Sequence, residues 1–138
     1  MGRHRLLEHT ADMGIEIEGD DLADFFLQAA QGLMAVVAGR EKPEIRQMRR
    51  IEIEGEDLGE LLVNWLNEVL FLLEIKGFFP AVFHIEEVGA RRLKARLEGE
   101  PFDPQRHRLE REVKAVTYHQ LRVEEQNGRW RARVFVDL

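Results

Sequence analysis

An eight-residue segment occurs twice in this chain: Ile15-Glu16-Ile17-Glu18-Gly19-Asp20-Asp21-Leu22 returns as Ile51-Glu52-Ile53-Glu54-Gly55-Glu56-Asp57-Leu58, with a single Asp-to-Glu exchange. In each copy the isoleucines fall on one face and the glutamates on the other, the pattern of a half-buried strand. An amphipathic stretch follows each copy. A strand that enters a helix through an acidic turn, made twice, leaves few arrangements open. Two copies are too few for a solenoid, so the two units are expected to face each other within one domain.

The first helix is predicted from about Leu22 to Val37, because Leu22, Phe25, Phe26, Ala29, Leu33, Val36 and Val37 recur at i, i+3, i+4 spacing. Asp21 suits its N-cap and Gly39 its stop. The second helix starts on a near capping box, Asp57-Leu58-Gly59-Glu60. Leu61, Leu62, Trp65, Leu66, Val69, Leu72 and Leu73 give it a broad apolar face, and Lys76-Gly77 with Pro80 closes it. The rest reads as strands. Pro80–Val88 and Arg91–Glu98 flank a turn at Val88-Gly89-Ala90, and Val113–Glu125 joins Arg129–Asp137 through Gln126-Asn127-Gly128, a strong hairpin signal. Glu100-Pro101-Phe102-Asp103-Pro104 reads as a loop between them. The expected fold is α+β: a single two-layer domain over residues 1–138, with a mostly antiparallel sheet, two helices packed on one face, and an internal strand–turn–helix duplication.

Composition narrows the function. With 44% apolar residues the chain can bury a core, and the absence of cysteine excludes disulfides, thiolate metal sites and thiol nucleophiles. The longest apolar stretch, Leu58–Leu73, is interrupted by Asn64, Asn67 and Glu68, and the opening Met1–Asp12 lacks the apolar run of a signal peptide, so a cytoplasmic protein without a membrane partner is expected. A formal net charge of −6 works against gripping nucleic acid, whose affinity comes mostly from phosphate neutralisation. Basic stripes do alternate through Arg92, Lys94, Arg96 and Arg129, Arg131, Arg133. Acidic stripes at Glu16, Glu18, Glu52 and Glu54 match them, and cross-strand ion pairing accounts for both without a ligand.

Asp12 sits among polar residues before Gly14. It either caps a turn through its own backbone or forms half of a hard-cation site. Asp137 is followed at once by Leu138, so two carboxylates stand within one residue; they form either a frayed end or an anionic, docked one. Lys114 reads as a surface lysine or as a cation beside an acidic site. His9 and Asp12 are expected as neighbours in a turn, a weak signal by itself, but no histidine pair has zinc spacing, and no phosphate loop, nucleophile elbow or kinase signature is present. A chain acting as an enzyme alone would have to work with carboxylates and one histidine, so no catalytic residue is assigned.

Taken together, four segments resemble the archease family: Glu8-His9-Thr10-Ala11-Asp12, Leu62-Val63-Asn64-Trp65-Leu66-Asn67-Glu68, Glu112-Val113-Lys114-Ala115-Val116-Thr117-Tyr118-His119 and Val134-Phe135-Val136-Asp137-Leu138. The resemblance implies a non-catalytic protein cofactor of the GTP-dependent ligase that seals tRNA halves and other RNAs. It would promote guanylylation of that ligase, sustain multiple turnover and broaden nucleotide use. The family's divalent cation, calcium in the first place with magnesium or manganese as alternatives, would be held by Asp12, Asp137 and a main-chain or terminal oxygen of Leu138. Lys114 and His9 are carried over as candidates for partner activation, and RNA would be met only indirectly. The competing expectations are a general chaperone-like modulator of nucleic-acid-processing enzymes, a metal-dependent hydrolase and an RNA-binding module.

Overall fold

The repeated segment makes the same corner twice. Asp21 Oδ1 accepts from the Asp24 N–H at 2.8 Å, and Asp57 Oδ1 accepts from the Glu60 N–H at 2.9 Å. Each N3 carboxylate reaches back one residue before the cap: Asp24 accepts from the Asp20 N–H and Glu60 from the Glu56 N–H. The caps satisfy orphan helix donors and place acidic groups at the positive helix end. The glycine of the repeat is sterically required. A side chain on Gly19 would come within 2.3 Å of Phe25 N, and one on Gly55 within 2.6 Å of Leu61 N.

The computed structural model describes residues 2–8 and 11–138, with Glu8 described by its backbone alone. In chain order the elements are β1 Arg3–Glu8, β2 Asp12–Gly19, α1 Leu22–Ala38, β3 Gln47–Glu54, α2 Leu58–Glu74, β4 Phe78–Val88, β5 Arg92–Pro101, β6 Ala115–Gln126 and β7 Arg129–Asp137. The strands form two antiparallel sheets, β1-β2-β7-β6 and β3-β5-β4. The duplicated strands therefore land in different sheets, β2 inside the first and β3 at the edge of the second. Helix α1 packs on β1, β2 and β7 of one sheet and β4 of the other; α2 packs on β6 and on all three strands of the second sheet. Among the described residues, no helix is long and apolar enough to cross a membrane.

The α+β class, the antiparallel pairing and the duplicated unit stand as read from the sequence. The strands, expected in one sheet, divide between two because both helices bury more than one stripe. Phe25, Phe26, Ala29, Ala30, Leu33 and Val36 are fully buried in α1, as are Leu61, Leu62, Trp65, Leu66 and Val69 in α2. The helices are tied by a hydrogen bond from Trp65 Nε1 to the Phe26 carbonyl at 3.0 Å. The Asn-Gly hairpin is present, with φ of 55° at Asn127 and 80° at Gly128, the two positive values that its tight turn demands.

Several boundaries differ. Strand β1 was not read from the sequence, and its alternating Arg3 and Arg5 stand opposite Glu18 and Glu16. Strand β5 continues through Glu100 to Pro101, and β6 begins at Ala115, leaving Val113 and Lys114 ahead of it.

Replacing Gly55 by alanine forces a Cβ into the first turn of α2, so Gly55→Ala is expected to lower stability by about 1–3 kcal/mol. Gly89→Ala, where nothing lies within 4 Å, is expected to change it little. Urea unfolding of the two variants provides the comparison.

Candidate functional site

Strand β2 begins at Asp12 and β7 ends at Asp137, and these two residues are direct register partners. Directly opposed residues of an antiparallel pair carry Cβ atoms about 4.5–5.5 Å apart on one face, and like charges in that relation repel. On the other side of Asp137 stands Ala115, the first residue of β6. The Lys114 N–H donates to the Asp137 carbonyl at 2.8 Å, and the Leu138 N–H donates to the Ala11 carbonyl at 3.3 Å. Leu138 is half-buried and packs on the core, so this end is docked. Asp12, Lys114, Asp137 and Leu138, drawn from three distant segments, thus meet at one tip of the four-stranded sheet. His9 lies outside the described residues.

Among the described residues, neither Asp12 nor Asp137 is ion-paired, and no group of three or more His, Cys, Asp or Glu side chains is gathered to hold a metal ion. The tip offers two side-chain carboxylates with the backbone of Leu138 beside them. These are oxygen donors, the chemistry of a hard cation, and no soft ligand stands among them.

Behind the tip the outer face turns apolar. Phe135 should point to solvent by strand alternation, yet it is 4% exposed. It lies over Gly14, where a Cβ would stand 3.0 Å from its ring, and His119 packs against it with ring centroids 6.4 Å apart. Further along, the arginine stripe is paired. Arg133 opposes Glu16 and Arg131 opposes Glu18 in register, with ion pairs of 3.0 Å each. From β1, Arg5 reaches Glu16 at 2.7 Å and Arg3 reaches Glu18 at 2.8 Å. Hydrogen bonds led by Arg5 and Arg3, respectively, hold the Glu16 and Glu18 carboxyls below the ordinary glutamate value. On the other sheet Lys94 opposes Glu52, and Arg92 pairs with Glu52. Arg96 departs from this pattern, standing opposite Arg50 of β3.

One polar cluster went unread in the sequence. Glu100, fully buried, accepts from the Glu44 N–H at 2.6 Å and from His107 Nε2 at 3.0 Å, and pairs with Arg106. His107 Nδ1 accepts from the Asp103 N–H at 2.9 Å, so its ring proton resides on Nε2, the atom facing Glu100. Phe79 and Phe102 flank the ring. Arg106 above all holds the Glu100 carboxyl down at about 2, against the opposing effect of burial. The cluster clamps two loops to the end of β5, away from the tip. Glu100 escaped notice because it sits beside Pro101, and His107 because its neighbours Arg106 and Arg108 give no period.

The sequence profile of the Archease protein family matches residues 4–138. The chain belongs to the archease family. Relatives named Protein archease are 40% identical over 143 aligned positions in Pyrococcus abyssi, covering all of both chains, and 39% identical in Methanopyrus kandleri, covering 96% of each. The solution structure of Methanobacterium thermoautotrophicum protein 1598 superposes with a TM-score of 0.79 at 31% identity, over 98% of both chains. An archease crystal structure from Thermotoga maritima, described as a possible chaperone, shares the fold with a TM-score of 0.69 at 23% identity. The tip residues fall inside the matched span.

Two outcomes are expected. With divalent cations chelated, Asp12→Asn removes the repulsion across β2 and β7 and raises stability by about 0.2–1 kcal/mol; thermal melts in a chelator measure it. The second concerns acid. Glu100 titrates near 2 when folded and near its ordinary value of 4.5 when unfolded. The stability it contributes is therefore complete above that ordinary value and drains away as pH falls toward 2. Urea midpoints followed through this window should fall less steeply for Glu100→Gln than for the wild type.

Proposed function

We propose that this archease activates a GTP-dependent RNA ligase of the kind that seals tRNA halves. In this reading it promotes the ligase's guanylylation, sustains multiple turnover and broadens nucleotide use, through a divalent cation held at the acidic tip. The observation that carries the reading is the direct opposition of Asp12 and Asp137 at adjoining strand ends. A protein that faces two carboxylates across a ladder, without an arginine or lysine paired to either among the described residues, accepts a repulsion that a cation would relieve.

Asp12 and Asp137 would supply side-chain oxygens and Leu138 a main-chain oxygen. The bound cation would supply positive charge between two carboxylates that have no basic partner among the described residues. Calcium is the first choice, and magnesium or manganese suit the same donors. Lys114, joined to Asp137 through the backbone, would present its ammonium beside this group to the ligase. His9, three residues before Asp12 in sequence, is the further candidate. The chain acts in this reading as a protein cofactor with no catalytic residue of its own. On the outer face Arg3, Arg5, Arg131 and Arg133 are already engaged by Glu16 and Glu18, which supports a ligase surface as the direct partner and RNA as an indirect one.

The test is RNA ligation with limiting cognate ligase, GTP and Mn²⁺, run without addition, with this protein, and with Asp137→Ala. Multiple turnover should appear with the intact protein and be largely lost with the variant. Lys114→Ala should reduce stimulation while leaving the tip's cation affinity in place. Full stimulation by Asp137→Ala would refute the role of the tip. No stimulation by the intact protein would refute ligase activation itself and turn attention to chaperone-like protection of unrelated enzymes.

A further inference from the structure

We infer that Asn67 is a positioning residue for the acidic tip, acting from α2 through the backbone of β6; the inference rests on the tip's proposed role. Strand β6 lies at the edge of its sheet, so one side of its backbone has no strand to pair with. At Val116 a side chain takes that place. Asn67 Nδ2 donates to the Val116 carbonyl at 3.1 Å, and the Val116 N–H donates to Asn67 Oδ1 at 2.9 Å. A carboxamide matches a peptide group in donor, acceptor and geometry, and thus substitutes for the missing strand.

The need for this clamp follows from an irregularity in the β6–β7 ladder. A hairpin ordinarily fixes its own register from the turn outward. Here the register runs from Gln126–Arg129 to Arg122–Arg133 and then breaks. Between that pair and Thr117–Phe135, β6 advances five residues while β7 advances two. Gln120, inside the irregular stretch, has a positive φ of 55°. The turn at Asn127-Gly128 therefore cannot dictate how Ala115 meets Asp137. That register is set locally, over Ala115, Val116 and Thr117, by the buried Val116 side chain and by the two bonds from Asn67. Next to this short stretch the Lys114 N–H meets the Asp137 carbonyl. Asn67 thereby fixes where Lys114 and Asp137 sit relative to one another without touching either side chain. Leucine at this position would keep the volume and leave both Val116 backbone groups without partners.

Asn64, one turn earlier on α2, provides a matched comparison, because its Nδ2 donates to the Glu54 carbonyl of β3, in the other sheet. The experiment compares wild type, Asn67→Asp, Asn67→Ala and Asn64→Asp by residue-resolved amide exchange and by the ligation assay. Asn67→Asp keeps the acceptor for the Val116 N–H and sets a second oxygen against the Val116 carbonyl; Asn67→Ala removes both bonds without adding charge. In both Asn67 variants the Lys114 amide should exchange about tenfold faster, while the amides of Leu33 and Leu66 keep their wild-type protection. Ligase stimulation should fall in the same variants, and Asn64→Asp should spare both readouts. A purely structural role would loosen Leu33 and Leu66 together with Lys114, and that result, or unchanged exchange at Lys114, would overturn the assignment. Failure of the wild type to stimulate the ligase would sink the functional proposal, whereas the exchange at Lys114 would still decide the role of Asn67.

Discussion

The corner between strand and helix governs this molecule. At Gly19 and Gly55 the backbone passes so close to the first helical turn that no side chain fits, and at Asp21 and Asp57 a carboxylate ties the turn down. Together these contacts fix both where each helix starts and the direction in which it leaves its strand. With two such corners, the chain holds two helices whose broad apolar surfaces need covering on more than one side. One sheet cannot cover them, and the strands divide accordingly.

The tip is a by-product of that division. Because β2 and β7 are neighbours and antiparallel, the start of one lies against the end of the other, and Asp12 meets Asp137 there. The surrounding face is built differently. Glu16 and Glu18 each engage arginines from both flanking strands, whereas neither carboxylate at the rim has a basic partner among the described residues. The two facing carboxylates at the rim are a local cost to stability.

Much of this was legible in the chain. The alternating Ile-Glu pairs, the acidic caps and the Asn-Gly turn are local signals, and each corresponds to a local structure. The glutamate and arginine stripes were legible as partners because strand alternation has a fixed period. What escaped depends on long-range placement. Strand β1 has too short an alternation to stand out, and its identity comes from lying beside β2. Glu100 and His107 are polar residues in an irregular stretch, and their burial follows from two loops closing over them. Asn67 reads in sequence as an interruption of an apolar helix, whereas in the fold its amide is the partner of an edge strand. The opposition of Asp12 and Asp137 could not be derived from spacing at all. It entered as an implication of resemblance, and the strand order supplies its geometry.

Strand β7 comes last of the described strands in sequence and lies between β2 and β6 in space. As a growing polypeptide leaves the ribosome amino end first, β1, β2 and α1 emerge long before the strand that completes their sheet. The exposed flank of β2 must wait more than a hundred residues for its neighbour. Pairing at such separation is slow and leaves an open strand edge in the interval. Folding of this sheet is therefore an event of the finished stretch of chain, and a nascent product halted before residue 129 lacks the centre of the sheet, not its margin. The tip cannot form until β7 has been made as far as Asp137.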